Sequence, residues 1–551
     1  MEKESKSLFQ PIRLEFQSRR SPLISRRGMV ATSQPLAVAA GLEILSTGGN
    51  AADAAVATAA ALNVTEPVST GIGGDCFALY FEAGSNRISA LNGSGRAPYS
   101  LTLERLEREG LLENLPPFHP YTVTVPGACA GWCDLVSRHG RLGMEKVLAP
   151  AIRLAEEGFP VAPITAFAWK LGLERQLRSA LGGMELTLQG RAPRPGEIFR
   201  NPGLAATFKK VAEGGKKAFY QGEIAASIAE TVQSAGGCLS IEDLAAHYST
   251  WPEPISVTYR DLRIWECPPN GQGLAALLAL KILEGFDVQD LRPLSAGRLH
   301  LEVEALRLAF ADARWYVADP EAIHVPVEAL LSNAYAAERR RLIDPGKAAQ
   351  TFHNGAPVSG SDTVYLSVVD ERGNACSFIN SNYMGFGTGI VPPGWGFSLQ
   401  NRGYNFSLDA AHPNALAPGK RPYHTIIPAM ATRPDNSLFA SFGVMGGFMQ
   451  PQGHLQVVVA LADDRLDPQT ALDRPRFCLV DGTPDSRLAL ETGIPDRIMT
   501  QLAEMGHRVS MVTGQDRAVF GRGQIIVRDE QNGVLWGGSD PRADGCVMSV
   551  A

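Results

Sequence analysis

The chain has 551 residues, of which 45% are hydrophobic and 20% charged, a composition that excludes a disordered or fibrous protein. The formal net charge of -6 gives no basis for binding nucleic acid or an anionic membrane, so we expect a small-molecule partner. No apolar run of the signal-peptide type precedes Pro11, and the longest apolar stretch, 51–64, contains Asp53. These features predict a cytoplasmic enzyme without a membrane anchor.

In the first third of the chain, helix signals follow an arm rich in Arg and Ser. The arm covers residues 1–28, and the folded part is predicted to begin near Gly28. Two helices are predicted between Leu36 and Leu62, divided at Gly48-Gly49-Asn50, with Asn50 as the cap of the second. A glycine turn then leads into a strand over Cys76–Phe81.

The middle of the chain, about 127–345, is predicted to be mostly helical. Apolar residues recur at three- and four-residue spacing in Leu148–Glu157 and Leu299–Tyr316. Small and turn-forming residues then fill 352–362, which is typical of an exposed, pliable segment. We interpret the helical part as scaffold and the segment after it as a boundary.

A β-hairpin led by threonine follows that segment. Strand-forming residues occupy Thr363–Asp370, a turn is predicted over 371–374, and 375–382 is predicted to return beside the first strand. Helices dominate before this hairpin and strands after it, which favours a layered αββα sandwich. Later elements are predicted as strands over Ser437–Val444, Leu488–Glu491 and Gln524–Val527, and a helix over Gln452–Ala462.

A threonine at the head of a strand becomes chemically useful if the chain is cut directly before it. A free α-amine can serve as the base for its own side-chain hydroxyl, and it titrates near pH 7.7–8.0. The pliable run ending at Asp362 is a suitable place for the cut, which the Thr363 hydroxyl itself could make. An ordinary hairpin fits the same pattern, so the residues alone leave both interpretations open.

A series of glycine- and alanine-rich blocks, in order through nearly the whole chain from residue 29, resembles the γ-glutamyltranspeptidase family. The blocks are Gly48-Gly49-Asn50-Ala51-Ala52-Asp53-Ala54-Ala55, Thr70-Gly71-Ile72-Gly73-Gly74, Val125-Pro126-Gly127, Ala149-Pro150-Ala151-Ile152, Ile282-Leu283-Glu284-Gly285-Phe286, Ala309-Phe310-Ala311-Asp312-Ala313-Arg314, Phe386-Gly387-Thr388-Gly389-Ile390 and Ser539-Asp540-Pro541-Arg542-Ala543-Asp544-Gly545. The resemblance implies an α+β, four-layer αββα sandwich of the N-terminal nucleophile hydrolase type. It also implies one domain built from two autocleaved subunits, 29–362 (large) and 363–551 (small), whereas higher homo-oligomers stay open.

The resemblance also implies a catalytic set and a reaction. Thr363 takes the nucleophile position, Asp362–Thr363 is the cleavage site, and Ser381 supplies the hydroxyl that bonds the nucleophile. The amides of Gly446 and Gly447 should form the oxyanion hole, because glycine permits close approach to the developing charge. The implied reaction is hydrolysis or transfer of γ-glutamyl groups of glutathione and related amides.

The substrate-binding positions depart from the family pattern. Arg96 is displaced by two residues from the arginine that holds the substrate carboxylate, and Asn405 stands where the family has an acid for the α-amino group. Tyr383 replaces an asparagine, while His424 and Thr425 replace paired serines; His424 also fits a core or pocket-wall role. These departures keep open an amidase for a small acid without an α-amino group, of the oxamate amidohydrolase or cephalosporin acylase type, and an uncleaved scaffold or binding paralogue.

No metal or other cofactor is expected. The ten histidines show no HExxH or other paired ligand spacing. The eight cysteines are scattered without CxxC pairs, which is typical of reduced, buried thiols. Cys129 and Cys133 lie one helical turn apart, but two lone thiols make a poor metal site.

Overall fold

The computed structural model describes residues 20–349 and 363–551. Its strands are β1 Leu23–Ser25, β2 Met29–Thr32, β3 Asp75–Glu82, β4 Arg87–Gly93, β5 Phe159–Pro160, β6 Ile198–Phe199, β7 Ile255–Tyr259, β8 Leu262–Glu266, β9 Val364–Val369, β10 Ala375–Ser381, β11 Ala429–Thr432, β12 Leu438–Met445, β13 Phe477–Leu479, β14 Leu488–Glu491, β15 Val509–Val512, β16 Arg522–Arg528, β17 Leu535–Ser539 and β18 Cys546–Ser549. Its α-helices are α1 Pro35–Ser46, α2 Ala51–Thr65, α3 Leu103–Arg108, α4 Ala128–His139, α5 Met144–Glu157, α6 Pro163–Gly172, α7 Pro202–Tyr220, α8 Glu223–Ser234, α9 Ile241–Ala245, α10 Gly273–Leu283, α11 Ala296–Tyr316, α12 Val327–Leu330, α13 Asn333–Arg340, α14 Met449–Ala462, α15 Pro468–Asp473 and α16 Asp496–Glu504.

Two antiparallel sheets form the centre of the molecule. The six-stranded sheet has the order β18-β2-β9-β10-β3-β4, and the seven-stranded sheet has the order β1-β17-β16-β12-β11-β8-β7. An apolar cluster that includes Phe77, Tyr365 and Ile526 lies between the two sheets. Helices α1, α2 and α4 pack on the outer face of the six-stranded sheet, and α10, α11 and α14 on that of the seven-stranded sheet. The predicted αββα sandwich is therefore confirmed.

Strand β9 shows how this layering uses the sequence. All six of its residues, Val364–Val369, are buried, because helices cover one face of the strand and the second sheet covers the other. Helix α2 is buried along all fifteen residues, and its many alanines let α1, α5 and the strands approach closely. The predicted break before α2 is confirmed, since Asn50 and Asp53 form a reciprocal capping box.

The division between a helical first part and a stranded second part is less sharp than predicted. The first part supplies β2, β3 and β4 to the six-stranded sheet and the hairpin β7–β8 to the seven-stranded sheet. Strand β1 lies inside the predicted arm and pairs with β17. Both sheets are completed only when the two parts of the chain combine, so the predicted subunits form one layered body.

Several predictions concern residues at the margins of the structure. Residues 1–19 of the arm and 350–362, including Asp362, lie outside the described residues.

All eight cysteines are free thiols, as their spacing predicted, and six of them are buried. Within 20–349 and 363–551, no helix is both long and apolar enough to cross a membrane.

Candidate active site

The hairpin β9–β10 places two hydroxyl groups opposite each other. Thr363 directly precedes β9, and the register pairs Val364 with Asn380, so that Ser381 ends β10 beside Thr363. The two side chains are fully buried, and Thr363 Oγ1 lies 3.1 Å from Ser381 Oγ. The sequence places the second hydroxyl eighteen residues after the first, and the hairpin turns that spacing into a hydrogen bond.

Ser381 also accepts two hydrogen bonds from N–H donors. The backbone N–H of Tyr383 donates to Ser381 Oγ at 2.9 Å, and Arg402 Nη2 donates at 3.2 Å. Because both donors direct positive charge at this oxygen, they favour the Ser381 O–H as a donor in turn. A negative charge that develops on Thr363 Oγ1 is thus stabilised through Ser381.

Arg402 is a site residue that the sequence analysis missed. Its Nη1 donates to Thr425 Oγ1 at 2.7 Å, and its guanidinium lies 4.4 Å from the centre of the Tyr383 ring. The residue is fully buried, and none of the ion pairs between described residues includes it. A lone arginine in a short loop has no sequence signal that separates it from a surface residue, so only its position in the fold identifies it.

The charge on Arg402 persists despite its burial. Loss of hydration lowers the pKa of the guanidinium to about 10, while the negative charge of Asp75 and the Tyr383 hydroxyl raise it in part. The group is therefore protonated at neutral pH. A buried cation without a paired carboxylate is costly unless a ligand compensates it.

Polar atoms without partners lie next to Arg402. Tyr383 has a left-handed backbone, with φ of 81°, and a fully buried ring. Its hydroxyl lies beside the Asn405 amide, and neither group has a further hydrogen-bond partner among the described residues. Burial raises the pKa of Tyr383 to about 12, so this hydroxyl stays protonated. Unpaired buried groups of this kind cost about 1–3 kcal/mol each unless a ligand or water satisfies them.

His424 is held by the protein on both of its ring nitrogens. Its Nε2 donates to Asp75 Oδ2 at 3.0 Å, and its Nδ1 accepts from the Ile426 N–H at 3.3 Å. Burial, helped by the charge on Arg402, lowers the pKa of His424 to about 3, so the ring is neutral. The other oxygen of Asp75 accepts from the Gly95 and Gly127 amides and from Gln400. This arrangement gives His424 a positioning contact, and its predicted substrate contact stays a prediction.

Arg96 is engaged away from the hydroxyl pair. Its Nη2 forms an ion pair with Glu321 at 2.7 Å, and its guanidinium lies 4.2 Å from the centre of the Tyr248 ring. Arg421 approaches the same carboxylate at 3.3 Å. The predicted substrate-carboxylate role of Arg96 would require it to leave or share this pair, and it stays a prediction.

The glycine pair lies at the junction of β12 and α14. Gly446 and Gly447 have φ values of 134° and 57°, which favour glycine, and they directly precede the first turn of α14. Gln272 Nε2 donates to Gly447 O at 2.8 Å and to Thr425 O at 2.6 Å. Amides at a helix N-terminus favour a nearby negative charge, which is the property an oxyanion hole needs.

Hydrogen bonds thus connect four of the predicted site residues. They run from Thr363 through Ser381 and Arg402 to Thr425, and Gln272 extends the connection to Gly447. Such a site can offer a hydroxyl nucleophile, a polarising neighbour and amides for an oxyanion, which together suit acyl transfer.

Comparison with known proteins gives the same class of enzyme. The Gamma-glutamyltranspeptidase family model matches residues 37–550. The chain is 36% identical to the glutathione hydrolase-like YwrD proenzyme of Bacillus subtilis, over 96% of this chain and 99% of that protein. It is also 36% identical to an oxamate amidohydrolase proenzyme of Klebsiella pneumoniae, over 95% and 98%. A cephalosporin acylase from Bacillus halodurans has a similar solved structure, with 47% identity, a TM-score of 0.90 and coverage of 100% and 99%. The chain therefore belongs to the γ-glutamyltranspeptidase family and is the proenzyme of an N-terminal nucleophile hydrolase.

Proposed function

We propose that the chain cuts itself before Thr363 and then hydrolyses or transfers γ-glutamyl groups of glutathione and related amides. The observation that carries this proposal is the buried contact of 3.1 Å between Thr363 Oγ1 and Ser381 Oγ at the head of β9. The relatives named glutathione hydrolase-like and glutathione hydrolase proenzymes support the γ-glutamyl substrate. A scaffold without catalysis has no support, because the nucleophile and both glycines are retained.

The self-cleavage step uses the same hydroxyl as the later reaction. Thr363 Oγ1 attacks the carbonyl carbon of Asp362, and the acyl group moves from the Thr363 nitrogen to its oxygen. Water then hydrolyses the ester, which leaves the Asp362 carboxylate on the large subunit and a free α-amine on Thr363. Two chains result, and they share the two sheets.

In the mature enzyme the α-amine of Thr363 accepts the proton of its own hydroxyl as the oxygen attacks the substrate amide carbon. The Gly446 and Gly447 amides stabilise the resulting oxyanion, and the Ser381 hydroxyl orients the nucleophile. The protonated amine then gives its proton to the leaving amine. Water or an acceptor amine releases the acyl group from Thr363.

A denaturing mass measurement and an activity assay test this proposal together. The purified protein should give two chains that correspond to cleavage at 362/363, and it should release aniline from a γ-glutamyl anilide. The Thr363→Ala variant should stay a single chain of 59.0 kDa without activity. Full activity in an uncleaved protein would refute the mechanism.

A second candidate is an amidase for a small acid that lacks the α-amino group. The specific observation is the pair Arg402 and Asn405: a buried cation without a carboxylate partner, beside a neutral amide where an ammonium would need an acid. This surrounding favours an acyl group that carries a carboxylate and disfavours one that carries an ammonium. The oxamate amidohydrolase relative and the cephalosporin acylase structure support this class.

A substrate panel separates the two candidates. Glutathione, a γ-glutamyl anilide, oxamate and glutaryl anilide are given to the cleaved enzyme, and kcat/KM is measured for each. Turnover of the γ-glutamyl compounds supports the first candidate, and turnover confined to oxamate or glutaryl anilide supports the second. We also propose a role in glutathione metabolism in the cytoplasm, which the eight reduced thiols favour.

A further inference from the structure

A second cluster of chemically active side chains lies away from the hydroxyl network. It consists of His300 and Glu304 on α11 and His507 in the loop before β15, and we call it the His-Glu cluster. One ligand atom from each residue can be chosen so that all three atoms lie within 4.8 Å of one another. All three residues are buried, which is unusual for such groups unless they are paired or coordinated.

The hydrogen bonds of His300 fix which nitrogen faces the cluster. Its Nε2 lies 2.7 Å from the backbone carbonyl of Asp344, which can only accept, so Nε2 carries the proton. The lone pair of Nδ1 then accepts a hydrogen bond from His507 Nε2–H at 2.8 Å, and a metal ion between the two nitrogens would take the place of that proton. A histidine that donates one nitrogen to a carbonyl and offers the other is in the arrangement that metal ligands adopt.

Glu304 is oriented in a comparable way. One carboxylate oxygen accepts from the Ala349 N–H at 3.0 Å, while the other, Oε1, has no hydrogen-bond partner within the described part of the chain. The Nε of Arg307 lies 3.6 Å from Oε1, and other nitrogens of this guanidinium donate to the carbonyls of Pro484 and Ser486. Arg307 is thus anchored beside the carboxylate and leaves a lone pair of Oε1 available. His507 Nδ1 has no partner among described residues, so it can carry the ring proton when Nε2 binds an ion.

We propose that the His-Glu cluster binds a divalent transition-metal ion, with zinc as its best-matched occupant. Two imidazoles and one carboxylate form a ligand set that suits Zn²⁺, at ligand distances of about 2.0–2.2 Å. Tetrahedral ligands lie about 3.4 Å apart, so the two histidine rings need to separate by roughly 0.6 Å to admit the ion. The ion would neutralise the buried carboxylate, and water would complete its coordination.

The position of this site gives it a structural consequence. His300 and Glu304 belong to the predicted large subunit, whereas His507 belongs to the small one. The carbonyl of Asp344 and the amide of Ala349 attach to the same cluster just before the segment that contains the predicted cut. A bound ion therefore joins the two chains after the proposed cleavage and holds the segment from Asp344 to Ala349, as a structural metal does.

Metal content tests the proposal without reference to activity. Metal is removed from the untagged, cleaved protein with a chelator, and the protein is then dialysed against a buffer of fixed free Zn²⁺ concentration. Bound zinc is measured by inductively coupled plasma mass spectrometry. We expect about one zinc ion per two-chain protein and a higher thermal midpoint with zinc than with chelator. His300→Asn and His507→Asn should each weaken binding at least about 10²-fold and abolish the thermal shift.

Two further variants keep the test decisive. Glu304→Gln is nearly isosteric and should also weaken zinc binding, which settles the matter where a histidine variant does not fold. His324→Ala removes an exposed histidine and should bind zinc as the wild type does. Absence of bound zinc in the wild type, or equal binding by wild type and all three cluster variants, would overturn the proposal and leave a histidine pair with a purely structural hydrogen bond.

Discussion

Two neighbouring parts of the site differ in how completely their polar atoms are paired. One is the hydroxyl pair, Thr363 and Ser381, and the other is the wall beside it, formed by Tyr383, Arg402 and Asn405. Thr363 and Ser381 bond each other, and Ser381 accepts two further donors. The Tyr383 hydroxyl and the Asn405 amide, also buried, lie beside each other and have no further partners among the described residues. This difference fits the proposed roles, in which the protein holds the groups that act in every turnover and leaves the groups that meet a variable acyl chain for the substrate to satisfy.

The largest effect should follow from removal of the nucleophile. Thr363→Ala should stay uncleaved and lose at least about 10³-fold in kcat/KM, because both cleavage and acyl transfer need its oxygen. Denaturing mass spectrometry and an anilide assay measure the two effects. Thr363→Ser keeps the hydroxyl and should still cleave, although more slowly. Equal rates for the alanine variant and the wild type would show that the hydroxyl pair of Thr363 and Ser381 does not carry out catalysis.

Ser381→Ala should test whether pairing on the hydroxyl side serves the reaction. We expect kcat to fall about 10²-fold with little change in KM, because the lost hydroxyl supports the nucleophile and not the bound acyl group. Ser377→Ala is a matched control on the same strand, since Ser377 is buried and bonds the Tyr365 hydroxyl. The control should change stability and leave kcat unchanged; a similar loss of kcat in both variants would refute the assignment.

Arg402→Gln should sharpen the contrast on the wall side. Loss of the cation should lower kcat/KM for glutaryl anilide about 10- to 100-fold, because a charge-assisted bond to its carboxylate contributes about 1.5–3 kcal/mol. The loss should be smaller for the γ-glutamyl anilide, since its acyl group carries the same carboxylate together with an ammonium that the cation repels. Arg402→Lys keeps the charge and should restore part of this preference. Adding Asn405→Asp to Arg402→Gln should shift the preference further toward γ-glutamyl compounds. An unchanged substrate ratio would show that Arg402 only supports Ser381.

His424 connects the site to acid stability. Its pKa is lowered from 6.5 to about 3, so the folded protein binds no proton here while the unfolded chain does so below about pH 6.5. The contribution of His424 to the free energy of unfolding is therefore fully retained above pH 6.5. It is lost as the pH falls toward 3, at about 1.4 kcal/mol per pH unit. The free energy of unfolding, measured with urea between pH 7 and pH 4.5, should depend on pH less steeply in His424→Gln than in the wild type, by about this amount. His324→Gln, at an exposed position, should keep the slope of the wild type.

The smallest effect is expected from Arg96→Ala. Because Arg96 already pairs with Glu321, KM should rise less than about 5-fold if this ion pair is its main role. Steady-state kinetics with the best substrate of the panel gives the answer. A rise of KM of about 10²-fold would instead show that Arg96 binds the substrate carboxylate, and it would contradict the proposal that Arg402 does so.

Local sequence determined much of the frame, and the resemblance to the family predicted the nucleophile. Asn50 predicts the start of α2, and the strand-forming residues after Thr363 predict the hairpin, because capping and strand propensity act over a few residues. That hairpin brings Thr363 and Ser381, which are eighteen residues apart in the sequence, next to each other. Resemblance to the family identified Gly446 and Gly447 before the structure located them between a strand and a helix.

Tertiary structure alone decided the surroundings of these residues. Arg402 joins Ser381 and Thr425, 21 and 23 residues away, only because its turn folds against the end of β10 and the segment that leads into β11. His300 and His507, 207 residues apart, meet only when α11 packs near the loop before β15. Sequence patterns report spacing along a helix or strand, whereas burial, pairing and the loss of hydration depend on which distant segments meet. For this protein the sequence by itself determined the family and the layered fold and predicted the nucleophile, whereas the packing of the layers decided which charges are buried without a carboxylate partner.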